Sequence, residues 1–206
     1  MQITRIVTGT LEQNVYILSK NKEALLIDPG SEVNKIKNEI EELGVKPLAI
    51  LLTHTHYDHI GGVDEIRHAY QIPVYVSPLE QEWLGNPELN LSAQSIHPVS
   101  VGEAEYEFES HKEYQIGGFK FTVLPTPGHS PGGVSFLFED DMVTFTGDAL
   151  FRGSVGRTDL PGSQPEKLLA GIEKHLFTLP NDMRVFPGHR DDSTIGHEKQ
   201  TNPFFN

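Results

Sequence analysis

The alternation of apolar and polar residues at the start of the chain predicts two β-strands, at residues 2–8 and 14–19. A third short apolar run, residues 23–27, is followed by Pro29 and Gly30, which interrupt regular structure. Together these segments indicate a sheet that begins at the N-terminus.

The period of the apolar residues then changes from two to about 3.6, which predicts an amphipathic helix. Ser31 is available as its N-cap and Gly44 ends it. The apolar residues that share one face of this helix are Val33, Ile36, Ile40 and Leu43.

Strands and helices alternate further along the chain. The segments that predict strands are residues 47–53, 72–77, 118–125, 132–140, 142–147 and 183–188. The segments that predict helices are residues 61–70 and 165–179. Residues 85–112 have no sustained period and are predicted as loop with one or two short strands. This order of elements is typical of an α/β fold.

Two pairs of predicted strands end in the same way. One pair ends on an aspartate, at Asp28 and Asp148, and the other ends on a histidine, at His54 and His189. This repetition suggests two similar halves whose strand ends carry polar residues toward a common cleft.

Composition and charge exclude several classes of function. The 206 residues include 16 Lys and Arg against 29 Asp and Glu, a net charge of −13, without any run of basic residues. Nucleic acid and anionic membranes are therefore not expected as partners. The chain has no Cys, so disulfides, thiolate nucleophiles and thiolate zinc sites are excluded. We expect one domain over residues 1–206.

The N-terminal segment lacks the basic start and apolar stretch of a signal peptide. No apolar run approaches the ~20 residues that span a bilayer. We therefore expect a cytoplasmic protein; the oligomeric state is left open.

The candidate chemistry lies directly after the strand of residues 47–53. Residues two apart in an extended segment project to the same side, so His54 and His56 can bind one metal ion together. Asp58 and His59 follow on the turn that opens the next helix, which indicates a second ion beside the first.

Three more candidates follow apolar strands through turns of small residues: His129, Asp148 and His189. Nitrogen and oxygen ligands of this kind bind Zn, Fe or Mn. The remaining histidines outside these motifs receive no role, because single histidines are more often exposed or satisfied core residues: His68, His97, His111 and His175.

The segment 53–59, "THTHYDH", together with "TPGHS", "TGDALF", "GRTDLPG" and "PGH" in this order, resembles the metallo-β-lactamase superfamily. Within it, the chain is similar to the hydroxyacylglutathione hydrolases, the glyoxalase II group. The resemblance covers nearly the whole chain and implies an αββα sandwich. Only 17 residues follow His189, so we expect a short form without the C-terminal helical region of longer members.

The resemblance also implies the ligand sets of two divalent metal ions, with zinc as the first choice and iron or manganese as alternatives. One set is His54, His56 and His129, and the other is Asp58, His59 and His189. Asp148 would bridge both ions. For the last histidine, His197 stands in a Gly-His-Glu context that the family sometimes uses; we choose His189 because a tight turn after a strand fixes its direction.

The implied activity is metal-dependent hydrolysis of a small-molecule thioester, such as an S-D-lactoyl thiol, in methylglyoxal detoxification, with Asp58 as the catalytic orienter of the attacking hydroxide. The identity of the thiol is left open. Arg152 and Arg157 are candidates for an anionic substrate, but Arg157 can equally pair with Asp159, and we favour that structural interpretation.

Other members of the superfamily supply the alternatives. A persulfide dioxygenase would use one iron, held by residues matching His54, His129 and Asp148. A β-lactam hydrolase is disfavoured because the Asp148 position in such enzymes is usually Cys. The charge argues against a nuclease, and a gas-sensing module would normally be fused to a flavin domain.

Overall fold

The computed structural model describes residues 1–206, which form two compact units. The first unit contains Met1–Phe108 and Gln115–Phe119, and the second contains Glu109–Tyr114 and Lys120–Asn206. The single domain expected from the sequence stays a prediction.

One six-stranded sheet has the order β1-β2-β3-β4-β5-β6. Its strands are β1 (Gln2–Thr8), β2 (Gln13–Lys20), β3 (Glu23–Ile27), β4 (Lys46–Leu51), β5 (Val74–Val76) and β6 (Tyr106–Glu107). The pairs β1/β2 and β2/β3 are antiparallel, and β3, β4, β5 and β6 are parallel neighbours.

A second six-stranded sheet has the order β14-β13-β10-β9-β8-β7. Its strands are β7 (Glu113–Ile116), β8 (Phe119–Pro125), β9 (Val134–Phe138), β10 (Val143–Gly147), β13 (Arg184–Pro187) and β14 (Ser193–Thr194). Strands β10 and β13 are parallel. A separate hairpin consists of β11 (Leu150–Phe151) and β12 (Ser154–Val155).

The chain has six α-helices, of which the first five lie between strands and the last follows β14. They are α1 (Val33–Leu43), α2 (Tyr57–Ile60), α3 (Val63–Tyr70), α4 (Gln81–Gly85), α5 (Pro165–Gly171) and α6 (Ile195–Thr201). A π-helical turn, Ile172–Leu176, continues α5. None of the helices combines the length and the apolar content that crossing a membrane requires.

Each unit has its own apolar core. In the first, Ile36 and Ile40 of α1 pack with buried residues of the sheet such as Leu26 and Ile50. In the second, Leu168 and other apolar residues of the α5 segment pack with those of the second sheet. Burial on both faces explains why β3 and β4 are continuous apolar runs in the sequence.

The sequence predicted most regular elements, but it misassigned the start of α1 and missed the last strand and helix. Ser31 is not the cap of α1: Glu32 occupies that position with φ 51°, without a side-chain capping bond, and its carboxylate accepts the backbone N–H of Gly9. Gly44 ends the helix as predicted, with φ 60°. The polar segment after His189 contains β14 and α6, which the sequence pattern did not indicate.

Candidate metal centre

Four of the proposed ligands lie between β4 and the end of α2. The backbone at His56 is extended, with φ −63° and ψ 146°, and helix α2 begins at the next residue. His54, His56 and His59 are buried, whereas Asp58 is partly exposed. The short step from strand to helix therefore brings all four side chains into one small region.

A buried carboxylate, Asp28, supports this segment. It follows β3, the parallel neighbour of β4, and its oxygens accept the N–H of Thr53 at 2.8 Å and the Thr53 hydroxyl at 2.6 Å. Asp28 Oδ2 also lies 2.9 Å from His59 Nδ1. Asp28 thus holds both ends of the ligand segment.

A second buried carboxylate, Glu80, binds the same segment two residues further on. Its Oε2 accepts the N–H of Thr55 at 2.7 Å and the Thr55 hydroxyl at 2.9 Å. Thr53 and Thr55 therefore each donate a backbone and a side-chain hydrogen bond to one carboxylate. Charge-assisted bonds of this kind are strong in a buried setting, so they restrict the backbone on both sides of His54.

The imidazole rings of the first unit are close together. The centroid of the His54 ring lies 4.8 Å from that of His56 and 4.1 Å from that of His59. His59 Nε2 is 3.7 Å from Asp58 Oδ2. Nδ1 of His59 donates a hydrogen bond to Asp28, and Nδ1 of His54 lies 3.2 Å from the Thr53 hydroxyl. With the proton on Nδ1 of each ring, the lone pair that can bind a metal is on Nε2.

Asp28 also lies near enough to count as a ligand, since Asp28, His54 and His59 offer atoms within 4.8 Å of one another. Its oxygens are already engaged by Thr53 and by Nδ1 of His59, however. We therefore assign Asp28 to support of the ligands rather than to coordination.

Asp148 and His189 of the second unit follow two parallel strands, β10 and β13. Gly147 pairs with Pro187, and the N–H of Gly188 donates to the carbonyl of Gly147 at 2.8 Å. The carboxyl ends of the two strands thus place Asp148 and His189 side by side, and His189 Nε2 lies 3.5 Å from Asp148 Oδ2.

His129 reaches the same carboxylate from a different turn. Its Nε2 is 3.5 Å from Asp148 Oδ2, and its Nδ1 lies 2.8 Å from the carbonyl oxygen of Arg157, which fixes the ring tautomer. Gly128 makes this turn possible: its φ is 135°, and a Cβ there would lie 2.4 Å from the backbone nitrogen of Leu168.

One glycine in each unit packs against the backbone of a proposed aspartate ligand. A Cβ at Gly30 would lie 1.7 Å from the carbonyl oxygen of Asp58, and a Cβ at Gly156 would lie 1.9 Å from that of Asp148. Neither contact leaves room for any other residue without movement of the aspartate. These two glycines were not identified from the sequence.

The donors of each unit suit divalent ions. Each unit offers imidazoles and a carboxylate as nitrogen and oxygen ligands, and in the second unit one oxygen, Asp148 Oδ2, is equally distant from two imidazole nitrogens. Such a position suits a carboxylate shared between two ions. Zn, Fe and Mn all accept this chemistry.

His197 has different surroundings from His189. It is exposed on α6, which Thr194 caps by accepting the N–H of His197, and its Nε2 is 3.9 Å from Glu198 Oε1. The direction of this segment is therefore set as well. The geometry nonetheless favours His189, which lies beside Asp148.

Arg157 pairs with Asp159, as we favoured. Its guanidinium donates to the two oxygens of Asp159 at 2.7 and 2.8 Å, and this pairing lowers the pKa of Asp159 to about 2. Both side chains are exposed, so the pair contributes little to stability. It shapes the loop whose carbonyl at Arg157 holds His129.

Two supporting residues were missed from the sequence. The sequence pattern did mark Asp28, because Asp28 ends an apolar strand as Asp148 does, but it did not distinguish a supporting carboxylate from a ligand. No sequence pattern marked Glu80, which lies in an irregular polar segment. Only the fold brings Glu80 to Thr55.

The sequence model of the metallo-β-lactamase superfamily matches residues 8–189. A probable metallo-hydrolase of Streptococcus pyogenes is 50% identical over 210 residues, covering 100% of this chain and 90% of the relative. The hydroxyacylglutathione hydrolase GloC of Haemophilus influenzae is 34% identical over 210 residues, covering 100% and 99%.

Solved structures agree with these relatives. BLEG-1, described as a B3 metallo-β-lactamase, has a TM-score of 0.96 at 40% identity, with 100% of both chains covered. TTHA1623 in a di-iron-bound form has a TM-score of 0.89 at 39% identity, covering 98% and 99%. ETHE1 from Myxococcus xanthus has a TM-score of 0.79 at 28% identity, covering 98% and 84%. The expected α/β fold of the metallo-β-lactamase type is confirmed.

Proposed function

The chain belongs to the metallo-β-lactamase superfamily, and from that premise we propose that it is a two-metal hydrolase of small 2-hydroxyacyl thioesters, such as S-D-lactoyl thiols. Under this proposal the ions are held by the two sets named above, His54, His56 and His129 for one and Asp58, His59 and His189 for the other. Asp148 serves both.

The observation that carries the proposal is the position of Asp148. Its Oδ2 lies 3.5 Å from Nε2 of His129, which belongs to one set, and 3.5 Å from Nε2 of His189, which belongs to the other. A carboxylate oxygen equally near an imidazole of each set is placed to serve both ions. The donors of a second ion also include His59, whose ring a buried carboxylate orients.

Two divalent ions, when bound, would supply a hydroxide near neutral pH and stabilise the negative charge that develops on the acyl oxygen. The protein's own groups do the rest. Asp58, partly exposed and beside His59, accepts a hydrogen bond from the attacking water and so orients it. A thiolate leaves without much help from a general acid, which suits a site that has no obvious one.

The choice of substrate is supported by the GloC relative and by the resemblance in the motifs. Hydrolysis of a lactoyl thioester to D-lactate and the free thiol would serve methylglyoxal detoxification. We propose zinc as the metal and the cytoplasm as the location of the protein. Because TTHA1623 has a di-iron-bound form, iron is the alternative metal to measure first.

Metal counting and paired assays test the proposal. We expect protein purified without added metal to contain close to two ions per chain and to hydrolyse S-D-lactoyl thioesters, and chelation followed by reloading should remove and restore the activity. One ion per chain together with absent thioesterase activity would reject the proposal.

The second candidate is a single-iron persulfide dioxygenase, which the similarity to ETHE1 favours. Oxygen uptake with a small persulfide, measured on the iron-loaded protein, distinguishes the dioxygenase from the hydrolase.

We also include a β-lactam in the hydrolysis assay. Our argument against β-lactams was the absence of Cys, and a structure described as a B3 metallo-β-lactamase resembles this chain throughout its length.

A further inference from the structure

Glu198 is a fully buried carboxylate on α6, and both of its oxygens accept hydrogen bonds. Oε2 accepts the N–H of Gly153 at 2.9 Å and the side-chain amide of Asn202 at 2.8 Å, and Oε1 accepts the hydroxyl of Ser193. Burial of a carboxylate costs free energy that an apolar residue at the same place would not cost. A buried acid on this short helix therefore calls for an explanation.

Glu198 and Asn202 together bind the tip of the hairpin β11/β12. Gly153, in the turn of this hairpin, donates its N–H to Glu198, and its φ of 66° is in the left-handed region. The next carbonyl, that of Ser154, accepts the Asn202 amide at 3.0 Å. Because the same amide also donates to Glu198, the two side chains form one connected pair. The C-terminal segment thus fixes both an N–H and a C=O group at the tip.

The other end of the hairpin lies against two proposed metal ligands. Strand β11 begins two residues after Asp148, and Gly156, directly after β12, donates its N–H to the carbonyl of Ala149 at 3.1 Å. Gly156 also packs on the backbone of Asp148 and on the side chain of His129, since an added Cβ would lie 3.0 Å from the His129 Cβ. The next residue, Arg157, binds Nδ1 of His129 through its carbonyl oxygen. The path of the chain out of the hairpin therefore determines the place of both ligands.

The third ligand of the second unit is reached through the other oxygen of Glu198. Ser193, which donates to this oxygen, lies in β14 and pairs with Val185 of β13. His189 lies in the loop between β13 and β14. A single buried carboxylate thus joins the hairpin to the two strands on either side of His189.

We propose that Glu198 is a positioning residue for the metal ligands of the second unit, which are His129, Asp148 and His189. It acts through the backbone of the hairpin and of β14, because its hydrogen bonds hold these segments at the spacing that the three ligands need. Metal sites lose affinity when the groups that orient their ligands are removed. The inference rests on the ligand sets of the proposed function and does not depend on the substrate.

Three variants separate this role from a general contribution to stability. Glu198→Ala removes the acceptor for all three donors. Glu198→Gln is the conservative rescue, because its carbonyl oxygen can accept from Gly153 and Asn202 while its amide donates to the Ser193 hydroxyl. Ile195→Ala is the matched control, because Ile195 is fully buried on the same helix and packs in the apolar core without a side-chain hydrogen bond.

Metal binding is measured on each protein after chelation, under conditions in which circular dichroism shows that the protein is folded. Competition with a chromogenic chelator gives the zinc affinity, and the visible absorption of the cobalt-loaded protein reports the geometry of the ligands. Denaturant unfolding of the metal-free protein gives the stability.

We expect Glu198→Ala to bind zinc about 10-fold more weakly than the wild type and to change the cobalt spectrum, as removal of a supporting group does. Glu198→Gln should resemble the wild type in both measurements. Ile195→Ala should lose stability through the cavity that it creates, and should keep both metal properties.

Asn202→Ala gives a second test that leaves the buried carboxylate in place. It loses the amide bonds to Ser154 and to Glu198, so zinc affinity should fall here as well, but less than in Glu198→Ala. This variant decides the question if Glu198→Ala does not fold.

A zinc affinity equal to that of the wild type in Glu198→Ala, or in Asn202→Ala if only that variant folds, would overturn the inference even if lactoyl thioesters were hydrolysed. An equal loss in Ile195→Ala would also overturn it, because loosening of the C-terminal helix would then be enough. So would a failure of Glu198→Gln to restore the affinity, since the hydrogen bonds would then not be the cause. A wild type that binds two zinc ions and shows the expected differences but cleaves no thioester would reject the proposed function and leave the role of Glu198 intact.

Discussion

The two units use the same arrangement of strands for different purposes. In each, an aspartate ends one strand and a histidine follows its parallel neighbour: Asp28 and His54 after β3 and β4, Asp148 and His189 after β10 and β13. In the first unit the carboxylate is occupied by Thr53 and His59 Nδ1. In the second, the Asp148 carboxylate lies beside imidazole Nε2 atoms.

The difference follows from where the neighbouring ligands come from. The first unit supplies its four donors from one stretch of six residues. The nearby carboxylate of Asp28 binds both ends of that stretch and holds it in place. The second unit collects its donors from three separated turns, and a carboxylate at their centre can join them. An identical strand-end position thus becomes a support in one unit and a proposed bridge in the other.

The largest expected effect comes from Asp148→Ala. If Asp148 serves both ions, the variant should lose metal and thioester hydrolysis together, by more than the 10–100-fold typical of supporting residues. Elemental analysis and initial rates measure the two losses. Asp140→Ala, in an exposed turn of the same unit, is the control. A variant with full metal content and a near-normal rate would remove the bridging role.

Substitution of the two close-packed glycines should disturb each unit separately. Gly30→Ala forces a Cβ against the backbone of Asp58, and Gly156→Ala does so against Asp148. Each should lower the free energy of unfolding by about 1–3 kcal/mol, as overpacking does, and reduce metal content. Denaturant unfolding of the metal-free proteins measures the first effect.

The controls for these variants are Gly85→Ala and Gly171→Ala, where the nearest atoms to an added Cβ are 3.6 Å away. They should change stability much less. If the controls and the two test variants were destabilised alike, close packing against the aspartates would not explain the need for glycine.

The supporting role of Asp28 can be separated from that of Glu80. Asp28→Asn removes an acceptor for His59 Nδ1, so we expect metal affinity to fall about 10–100-fold. Glu80→Gln loses charge at Thr55 without an imidazole contact, and should affect metal affinity less than Asp28→Asn. Competition with a chromogenic chelator gives both affinities. A larger effect in Glu80→Gln would reverse our order of the two carboxylates.

The smallest expected effect lies outside the ligands, at His175 of the second unit. Burial, then the neighbouring His111 and Lys174, lower the pKa of His175 below its usual 6.5. Between the lowered pKa and 6.5 the unfolded chain binds more protons than the folded one, so stability should fall as the pH drops below about 6.5.

His175→Asn should remove this small contribution. Unfolding of the metal-free proteins in denaturant at pH 5.5 and 7.5 measures it, and His97→Asn, in an exposed loop, is the control. If the wild type and His175→Asn lost equal stability on acidification, the acid sensitivity would belong to other groups.

The sequence alone determined the elements with a strong apolar period and the residue types for the chemistry. The run from His54 to His59 was recognisable because its residues are adjacent in the chain. The ends of the strands could be located for the same reason, since strand and turn signals are local. His129, Asp148 and His189 were found through these turns and through the family resemblance.

Tertiary structure decided what each polar residue does. Parallel pairing brought Asp28 to Thr53 and His59, and the packing of an irregular segment brought Glu80 to Thr55. Gly30 and Gly156 have no room for a Cβ because the backbone of another residue lies against them. A strand pattern predicts that a carboxylate lies at the end of a strand. Long-range packing decides which N–H and O–H donors or imidazoles lie next to that carboxylate. The sequence therefore did not reveal whether the carboxylate supports the ligands or bridges two ions.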